Sequence, residues 1–144
     1  MEAIKNPEWL DTQTYPFENK YLEVNGYEMH YIDEGEGPVL FFVHGTPSWS
    51  FLYRNLIRYL SNNYRCIAID HIGFGLSEKP KDFEGTPKAH FQNLETFIQK
   101  RGLKDITLFV HDFGGPIGLA YANAHPENIQ RIVLFNTWLW SLKD

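Results

Sequence analysis

Four short apolar runs, separated by segments with helical spacing, constrain the fold of this chain more than any other feature. Each run is too short for a helix and is apolar on both faces, as is typical of strands buried in a parallel sheet. The runs cover residues 39–43, 65–70, 106–111 and 132–136. Because strands and helices alternate, we expect an α/β fold with right-handed crossovers and a mostly parallel sheet that has helices on both faces.

Turn and capping residues mark where other elements begin and end. Asn25 and Gly26 separate two alternating segments and supply the positive φ angles of a type I′ turn, so we expect an N-terminal antiparallel hairpin before the parallel strands. Thr86 followed by Pro87 predicts the start of a helix that Gly102 ends. An earlier helix is predicted from apolar residues at positions 51, 52, 56, 59 and 60, with Ser48 or Ser50 as its cap.

The two ends of the chain differ from its centre. Residues 1–19 contain aromatic residues and prolines without periodicity, which predicts an irregular arm held to the body by its aromatic side chains. Residues 20–144 are expected to form the core domain. Only residues 137–144 follow the sixth strand, which is too little to cover an apolar edge strand. We therefore expect a sheet that is incomplete after its sixth strand.

Composition narrows the classes of protein and partner. The 144 residues are 43% hydrophobic and 16% aromatic, which suits one globular domain. A net charge of -5 without a basic run disfavours nucleic acid or an anionic membrane surface as a partner and fits small neutral substrates better. The first residues lack a signal-peptide pattern and no apolar run is long enough for a membrane span, so we expect a cytoplasmic protein. The single cysteine, Cys66, is expected to be a core residue.

The segment VHDFGG places a polar residue, Asp112, at a sharp turn from a strand into a helix. The serine version of such a nucleophile elbow reads G-x-S-x-G, and here Asp112 takes the serine position while Val110 replaces the first glycine. A carboxylate is ionised at pH 7 and can attack a saturated carbon without a base, giving an ester of Asp112. Hydrolysis of that ester then needs a general base and an oxyanion hole.

Two backbone N–H groups are candidates for that oxyanion hole. One belongs to Phe113, the residue after the nucleophile, and the other to Thr46, which follows His44 and Gly45. Both are expected at the carboxyl end of the sheet, where open α/β folds bind ligands. The alternative role for Asp112 is a plain helix cap, worth about 1 kcal/mol.

The stretches HGTPSWSFLYRNL, DHIGFGLSEKP and HDFGGPIG, in this order and spacing, resemble the haloalkane dehalogenase family of the α/β-hydrolase fold and its epoxide hydrolase relatives. The likeness runs from about residue 21 to residue 136. The resemblance implies that Asp112 is the nucleophile, that Thr46 and Phe113 supply the oxyanion hole, and that no cofactor is needed. It also implies that a cap domain, a histidine base and the carboxyl-terminal half of the fold lie beyond residue 144.

Three positions, Thr46, Phe113 and Asn136, carry a residue that differs from the one expected in the family. Family members usually carry tryptophan after the nucleophile, whose indole N–H binds the leaving halide, whereas Phe113 has no N–H. Many also carry asparagine where Thr46 stands. Asn136 occupies the place of the catalytic glutamate of one dehalogenase subgroup, so the acid is expected from a later strand. Trp138 and Trp140 are candidates for a substrate pocket, with simple packing as the alternative.

The histidines and glycines outside the elbow receive structural interpretations. His111 is expected to point to the face opposite Asp112, and His44 to support the oxyanion loop, so neither is favoured as the base. Surface, loop or helix-end positions are expected for His30, His71, His90 and His125. No cysteine and histidine spacing predicts a metal site. Gly73 and Gly75 are interpreted as turn residues because a lone G-x-G is a weak phosphate signal.

The leading hypothesis is a hydrolase that cleaves carbon–halogen bonds of haloalkanes, with a small apolar substrate and water as its partners. An epoxide hydrolase that uses the same Asp112 is the closest alternative. A third possibility from a different class is a non-catalytic half-domain, because the chain contains no plausible base. The preferred halogen, the halide donor and the oligomeric state are left open by the sequence.

Overall fold

The computed structural model describes residues 7–139. The strands are β1 (Lys20–Val24), β2 (Tyr27–Glu34), β3 (Val39–Val43), β4 (Arg65–Ile69), β5 (Ile106–Asp112) and β6 (Ile129–Thr137). The α-helices are α1 (Arg54–Leu60), α2 (Pro87–Arg101) and α3 (Gly114–Ala124), and 3₁₀ turns cover Ser50–Tyr53 and Pro126–Asn128. Among the described residues, no helix has both the length and the apolar character needed to cross a bilayer.

The six strands form one sheet in the order β1-β2-β4-β3-β5-β6. β1 and β2 form an antiparallel hairpin, and β2 also pairs antiparallel with β4, with Tyr31 opposite Ile69. The pairs β3–β4, β3–β5 and β5–β6 are all parallel. This arrangement confirms the predicted α/β sheet with an N-terminal antiparallel hairpin. It places β3 and β5 side by side, so that their carboxyl ends meet at one edge of the sheet.

Strand β3 shows how the sheet divides the core. Because side chains alternate between the two faces of a strand, Phe41 and Val43 pack on the side of α2 and α3, while Leu40 and Phe42 pack on the side of α1. All four are buried. Burying an apolar side chain of this size contributes about 1.5–3 kcal/mol. Helices on both faces are thus needed to cover this strand, and both faces have them.

The predicted turn and cap signals around the hairpin and α2 are confirmed. Asn25 and Gly26 have φ angles of 50° and 88°, as a type I′ turn requires. The Thr86 hydroxyl oxygen accepts the N–H of Ala89 at 3.2 Å, which caps α2 at its first turn. Gly102 ends the helix with a φ of 61°, in the left-handed region that glycine adopts without steric cost.

The predicted serine cap of the first helix is wrong. The helix begins with the 3₁₀ turn, Trp49 stands at the cap position, and no side chain caps the turn. Ser50 is instead buried, and its hydroxyl lies 2.6 Å from the hydroxyl of Tyr15. Tyr15 belongs to the amino-terminal arm, which packs on the α1 side of the sheet through this residue and through the partly buried Leu10 and Phe17. The serine hydroxyl therefore holds the arm and not the helix end.

Strand β6 forms one edge of the sheet and is longer than predicted. It begins at Ile129, three residues before the expected start, and pairs with β5 on its inner side. Ile132, Leu134 and Phe135 expose 42%, 58% and 37% of their surface. The expectation of an apolar edge strand without a covering layer therefore agrees with the exposure of these side chains.

Candidate active site

Asp112 is the last residue of β5, and its backbone is in the left-handed region with a φ of 51°. Helix α3 begins two residues later, at Gly114. A residue other than glycine in this region costs about 1–2 kcal/mol and persists only where surrounding structure imposes it. The chain therefore turns sharply from strand to helix at Asp112, and the carboxylate projects from the carboxyl edge of the sheet.

Two glycines make room for this turn. A Cβ atom on Gly114 would overlap the carbonyl oxygen of Val43 and approach that of His44 within 2.6 Å. On the facing loop, a Cβ atom on Gly45 would overlap the side chain of Asp112. Only glycine therefore lets the loop after β3 and the turn after β5 approach each other so closely.

The carboxylate of Asp112 is held by the loop that follows β3. Its Oδ1 atom accepts the backbone N–H of Thr46 at 2.9 Å, and the Thr46 hydroxyl lies at 3.4 Å. Partial burial of the carboxyl acts to raise the pKa of Asp112, but the backbone groups of Phe113 and Thr46, together with the nearby His111, outweigh it. The pKa of Asp112 therefore lies below its usual value, and the group is a carboxylate at neutral pH.

The two predicted oxyanion donors lie at the ends of neighbouring strands. Thr46 follows β3 and Phe113 follows β5, and β3 and β5 are paired up to Val43 and Val110. The structure brings Thr46 into direct contact with Asp112, although 66 residues separate them in sequence. Their role as an oxyanion hole stays a prediction, which the geometry permits because both residues flank the same carboxylate.

The sequence pattern of the alpha/beta hydrolase fold family matches residues 38–143, which include β3 to β6 and the whole candidate site. The chain belongs to this family. The match covers the turn at Asp112, and the assignment of this turn as a nucleophile elbow, with an aspartate in the position of the usual serine, stays a prediction.

The relatives of this α/β hydrolase have several activities. A cis-3-alkyl-4-alkyloxetan-2-one decarboxylase of Shewanella oneidensis is 47% identical over 138 residues, covering 94% of this chain and 43% of the relative. Haloalkane dehalogenase 2 of Mycobacterium bovis is 41% identical over 130 residues, covering 90% of this chain and 46% of the relative. The structure of an epoxide hydrolase from Bacillus megaterium is similar with a TM-score of 0.77 and 36% identity, covering 83% of this chain and 43% of that one. The resemblance to dehalogenases and epoxide hydrolases is thus confirmed, and the chain spans less than half the length of these relatives.

Behind the site of this α/β hydrolase lies a buried carboxylate, Asp70, that the sequence did not single out. It is fully buried and accepts the backbone N–H groups of Ser50 at 2.7 Å and Leu76 at 2.8 Å. The Nδ1 atom of His30 lies 2.8 Å from its Oδ2. Burial acts to raise the pKa of Asp70, yet the partners, His30 foremost, lower it overall. Asp70 thereby ties the loop after β3 to the loop after β4.

The predicted surface position is wrong for three histidines. His30, His71 and His90 are all buried, with at most 2% of their surface exposed. His71 does lie in the loop after β4, and His90 lies in the first turn of α2, as the loop and helix-end alternatives predicted. The three rings are buried because each has a polar or aromatic partner on another element, such as Asp70 for His30 and the His44 ring for His71. Burial lowers the pKa of His90 to about 4, so this ring is neutral at pH 7.

The two histidines considered as bases are placed as expected. His44 is buried and bonded within the loop after β3, while His111 lines an apolar cavity of about 300 Å³ on the α1 side with Leu52 and Phe135. In the part of the chain that the structure describes, the groups that hold the Asp112 carboxylate belong to Thr46 and to the backbone of Phe113, and not to a histidine ring. The contacts of His44 and the position of His111 agree with the structural interpretation of both residues.

The remaining candidates lie around the end of β6. Trp138 is half-buried just beyond β6, and Trp140 lies outside the described residues, so their assignment to a substrate pocket stays a prediction. Thr137, which sequence reasoning missed, donates its hydroxyl to the Asp112 carbonyl at 2.7 Å and so holds the strained turn. Residues 7–139 contain no cluster of three side chains suited to bind a metal ion.

Proposed function

We propose that this chain is the amino-terminal part of an α/β hydrolase that uses the Asp112 carboxylate as a nucleophile on haloalkanes. The observation that carries the proposal is the position of Asp112 at a left-handed strand-to-helix turn, with Oδ1 on the N–H of Thr46. A helix cap would need no such contact with a loop 66 residues away. The 41% identity to a haloalkane dehalogenase, over an alignment that covers 90% of this chain, supports the substrate class.

The two carboxylate oxygens have different parts in this mechanism. Oδ1 already lies on the N–H of Thr46, so it corresponds to the oxygen that becomes the ester carbonyl. Oδ2 is then the attacking atom. It forms a bond to the carbon that carries the halogen, the carbon–halogen bond breaks, and the halide leaves with the electron pair. The product of this first step is an alkyl ester of Asp112 and a halide ion.

The second step is hydrolysis of that ester. Water attacks the carboxyl carbon of Asp112, the negative charge collects on Oδ1, and the backbone N–H groups of Thr46 and Phe113 stabilise it. Collapse of this intermediate releases the alcohol and restores the carboxylate. The attacking water must lose a proton to a base. Of the two histidines considered for this role, His44 is buried and bonded to the Gly45 carbonyl, and His111 lines the apolar cavity with Leu52 and Phe135. We therefore expect the 144-residue chain to form the ester much faster than it hydrolyses it.

Alkylation of the chain by a primary alkyl bromide tests the proposal. We expect one alkyl group to add to the intact chain, to be found on the peptide that contains Asp112, and to be absent from Asp112→Asn. Asp82→Asn, at an exposed carboxylate away from the elbow, is the matched control and should label like the unchanged chain. Labelling that persists in Asp112→Asn, or that maps to other carboxylates, would contradict the proposal.

Decarboxylation of a β-lactone is the second candidate function, and Phe113 favours it. A phenyl ring cannot donate a hydrogen bond to a leaving halide, and the relative with 47% identity is named for activity on an oxetan-2-one. Attack of Oδ2 on C4 of the ring would break the C4–O bond and release a substrate carboxylate. That carboxylate would then lose CO2 as the C3–C4 double bond forms and the Asp112 carboxylate departs. This sequence uses neither a base nor water.

The two candidates differ in their products. Purified protein is incubated separately with a 1-bromoalkane and with a cis-3,4-dialkyl oxetan-2-one, and bromide, CO2 and alkene are quantified. Haloalkane cleavage gives one bromide for each Asp112 ester, whereas decarboxylation gives equal amounts of CO2 and alkene and leaves Asp112 unmodified. Loss of all products in Asp112→Asn is expected in both cases. Products that survive this substitution would exclude Asp112 as the nucleophile.

A further inference from the structure

Two buried histidines interlock beside the loop that carries Thr46. The backbone N–H of His71 donates to Nε2 of the His44 ring at 2.9 Å, and Nε2 of the His71 ring lies 3.0 Å from the carbonyl oxygen of His44. The His44 Nδ1 atom lies 2.7 Å from the carbonyl oxygen of Gly45. His71 therefore contacts both the ring and the backbone of His44.

These contacts determine where the protons of both rings lie. A backbone N–H can only donate, so His44 Nε2 must accept and carry no proton. The proton of His44 is then on Nδ1, where it donates to the Gly45 carbonyl. The carbonyl of His44 can only accept, so His71 Nε2 carries a proton and donates to it. Burial lowers the pKa of His44 and lowers that of His71 well below its usual range, which keeps both rings neutral.

The His44 tautomer sets the direction of the Thr46 N–H. The carbonyl of Gly45 and the N–H of Thr46 belong to one planar peptide unit and point in opposite directions across it. Because His44 Nδ1–H holds the Gly45 carbonyl, the Thr46 N–H is turned the other way, onto Oδ1 of Asp112 at 2.9 Å. The backbone N–H of Ser48 also donates to the Gly45 carbonyl, at 3.2 Å, so a change in this tautomer would remove the shorter of two hydrogen bonds that hold the peptide in this orientation.

The side chain of His71 supplies a donor that the sheet does not. The parallel ladder between β3 and β5 ends at the pair Val43 and Val110, so the buried His44 carbonyl lies one residue beyond it. Gly114 passes close to the same carbonyl, since a Cβ there would be 2.6 Å from its oxygen. Glycine has no side chain that could donate to this carbonyl, so the His71 imidazole provides the hydrogen-bond donor.

We propose that His71 is a positioning residue for the Thr46 N–H, acting through the ring and carbonyl of His44. This inference rests on the proposed function, in which Thr46 stabilises charge on Asp112. His71 does not touch the reacting atoms, so its effect is on the loop that does. Any residue except proline could supply the backbone N–H at position 71, but only a side-chain donor of similar reach could hold the His44 carbonyl.

The matched variants are His71→Met and His71→Gln. They have similar volume and length, but glutamine keeps an N–H donor near the position of Nε2 and methionine does not. NMR of the 144-residue chain gives two readouts that need no catalysis: the proton chemical shift of the Thr46 amide and the carboxyl ¹³C titration of Asp112. In His71→Met we expect an upfield shift of the Thr46 amide and a higher Asp112 pKa. In His71→Gln we expect both to return toward the unchanged chain.

A measurement on the unchanged chain keeps the inference testable if His71→Met does not fold. Imidazole ¹⁵N spectra should show His44 protonated on Nδ1 and His71 protonated on Nε2. The opposite tautomer of His44 would overturn the proposal, as would a folded His71→Met with an unaltered Thr46 amide and Asp112 titration. If the NMR results are as expected and no alkyl halide or lactone reacts, the positioning role holds and the proposed function fails.

Discussion

Replacing Asp70 by asparagine removes the charge from a buried carboxylate that three donors share. Oδ1 accepts from the N–H of Ser50, and Oδ2 accepts from the N–H of Leu76 and lies beside Nδ1 of His30. The lowered pKa of Asp70 indicates that these partners outweigh the cost of burying the charge. An amide of the same shape offers one acceptor oxygen in place of two, so at least one buried donor loses its acceptor.

The geometry determines the expected loss of stability. The amide oxygen satisfies two donors if it takes the position of Oδ2, which leaves the Ser50 N–H facing the new NH2 group. A buried donor without an acceptor costs about 1–3 kcal/mol, and each remaining bond weakens by about 1 kcal/mol when the acceptor becomes neutral. We therefore expect Asp70→Asn to lower the free energy of unfolding by about 3–5 kcal/mol, a large part of the roughly 5–15 kcal/mol of a typical domain.

Thermal and urea unfolding of the 144-residue chain at pH 7, followed by circular dichroism, measures this loss. For a chain of this size we expect Tm to fall by about 10–15 °C. The exposed Asp82 provides the control, since Asp82→Asn should change the free energy of unfolding by at most about 0.5 kcal/mol. If Asp70→Asn lost less than about 1 kcal/mol, the carboxylate would not be the anchor that its three contacts indicate.

Three further predictions concern the site, the pH response and the edge strand. In Gly45→Ala the new methyl group should displace the Asp112 carboxylate and slow its alkylation about 100-fold. Gly118 packs against β5 away from the site, so the control Gly118→Ala should affect stability alone. Equal alkylation rates in the two variants would contradict this prediction. Because the folded-state pKa of His90 is about 4, below that of the unfolded chain, stability should fall as pH drops from about 6.5 to 4, by up to about 1.4 kcal/mol per pH unit. In His90→Phe the slope of unfolding free energy against pH should be smaller, and an unchanged slope would assign it to other groups. Leu134→Lys on the exposed edge strand β6 should reduce self-association measured by light scattering and should alter the free energy of unfolding by at most about 0.5 kcal/mol. Undiminished association would contradict the view that the apolar edge of β6 promotes it.

Local signals account for the parts of the fold that were predicted well. The bounds of β3, the turn at Asn25 and Gly26, and the cap of α2 at Thr86 each depend on residues within a few positions of one another. The same holds for the turn at Asp112, where two glycines directly follow Phe113. Such signals are legible in a single sequence because the physical cause lies within one turn or one strand.

The errors concern polar residues whose partners lie far away in sequence. Ser50 resembles a helix cap by position, but its hydroxyl meets Tyr15, which is 35 residues earlier. His30 is paired with Asp70 at a separation of 40 residues, and an isolated histidine in an alternating segment carries no sign of this. The one available signal for Asp70 was its place at the end of a buried strand, where an uncompensated carboxylate would be costly.

The adjacency of β3 and β5 also determines when the site can form during folding. Thr46 and Asp112 are 66 residues apart, and the intervening chain contributes β4 and α2. Parallel pairing over such a separation must first overcome the entropy of closing a long loop, so topologies of this kind fold slowly, in about milliseconds to seconds. The hairpin of β1 and β2 is available early, whereas the surroundings of Asp112 are assembled only late. Folding intermediates should therefore contain the hairpin yet react with alkyl halides no faster than a free aspartate.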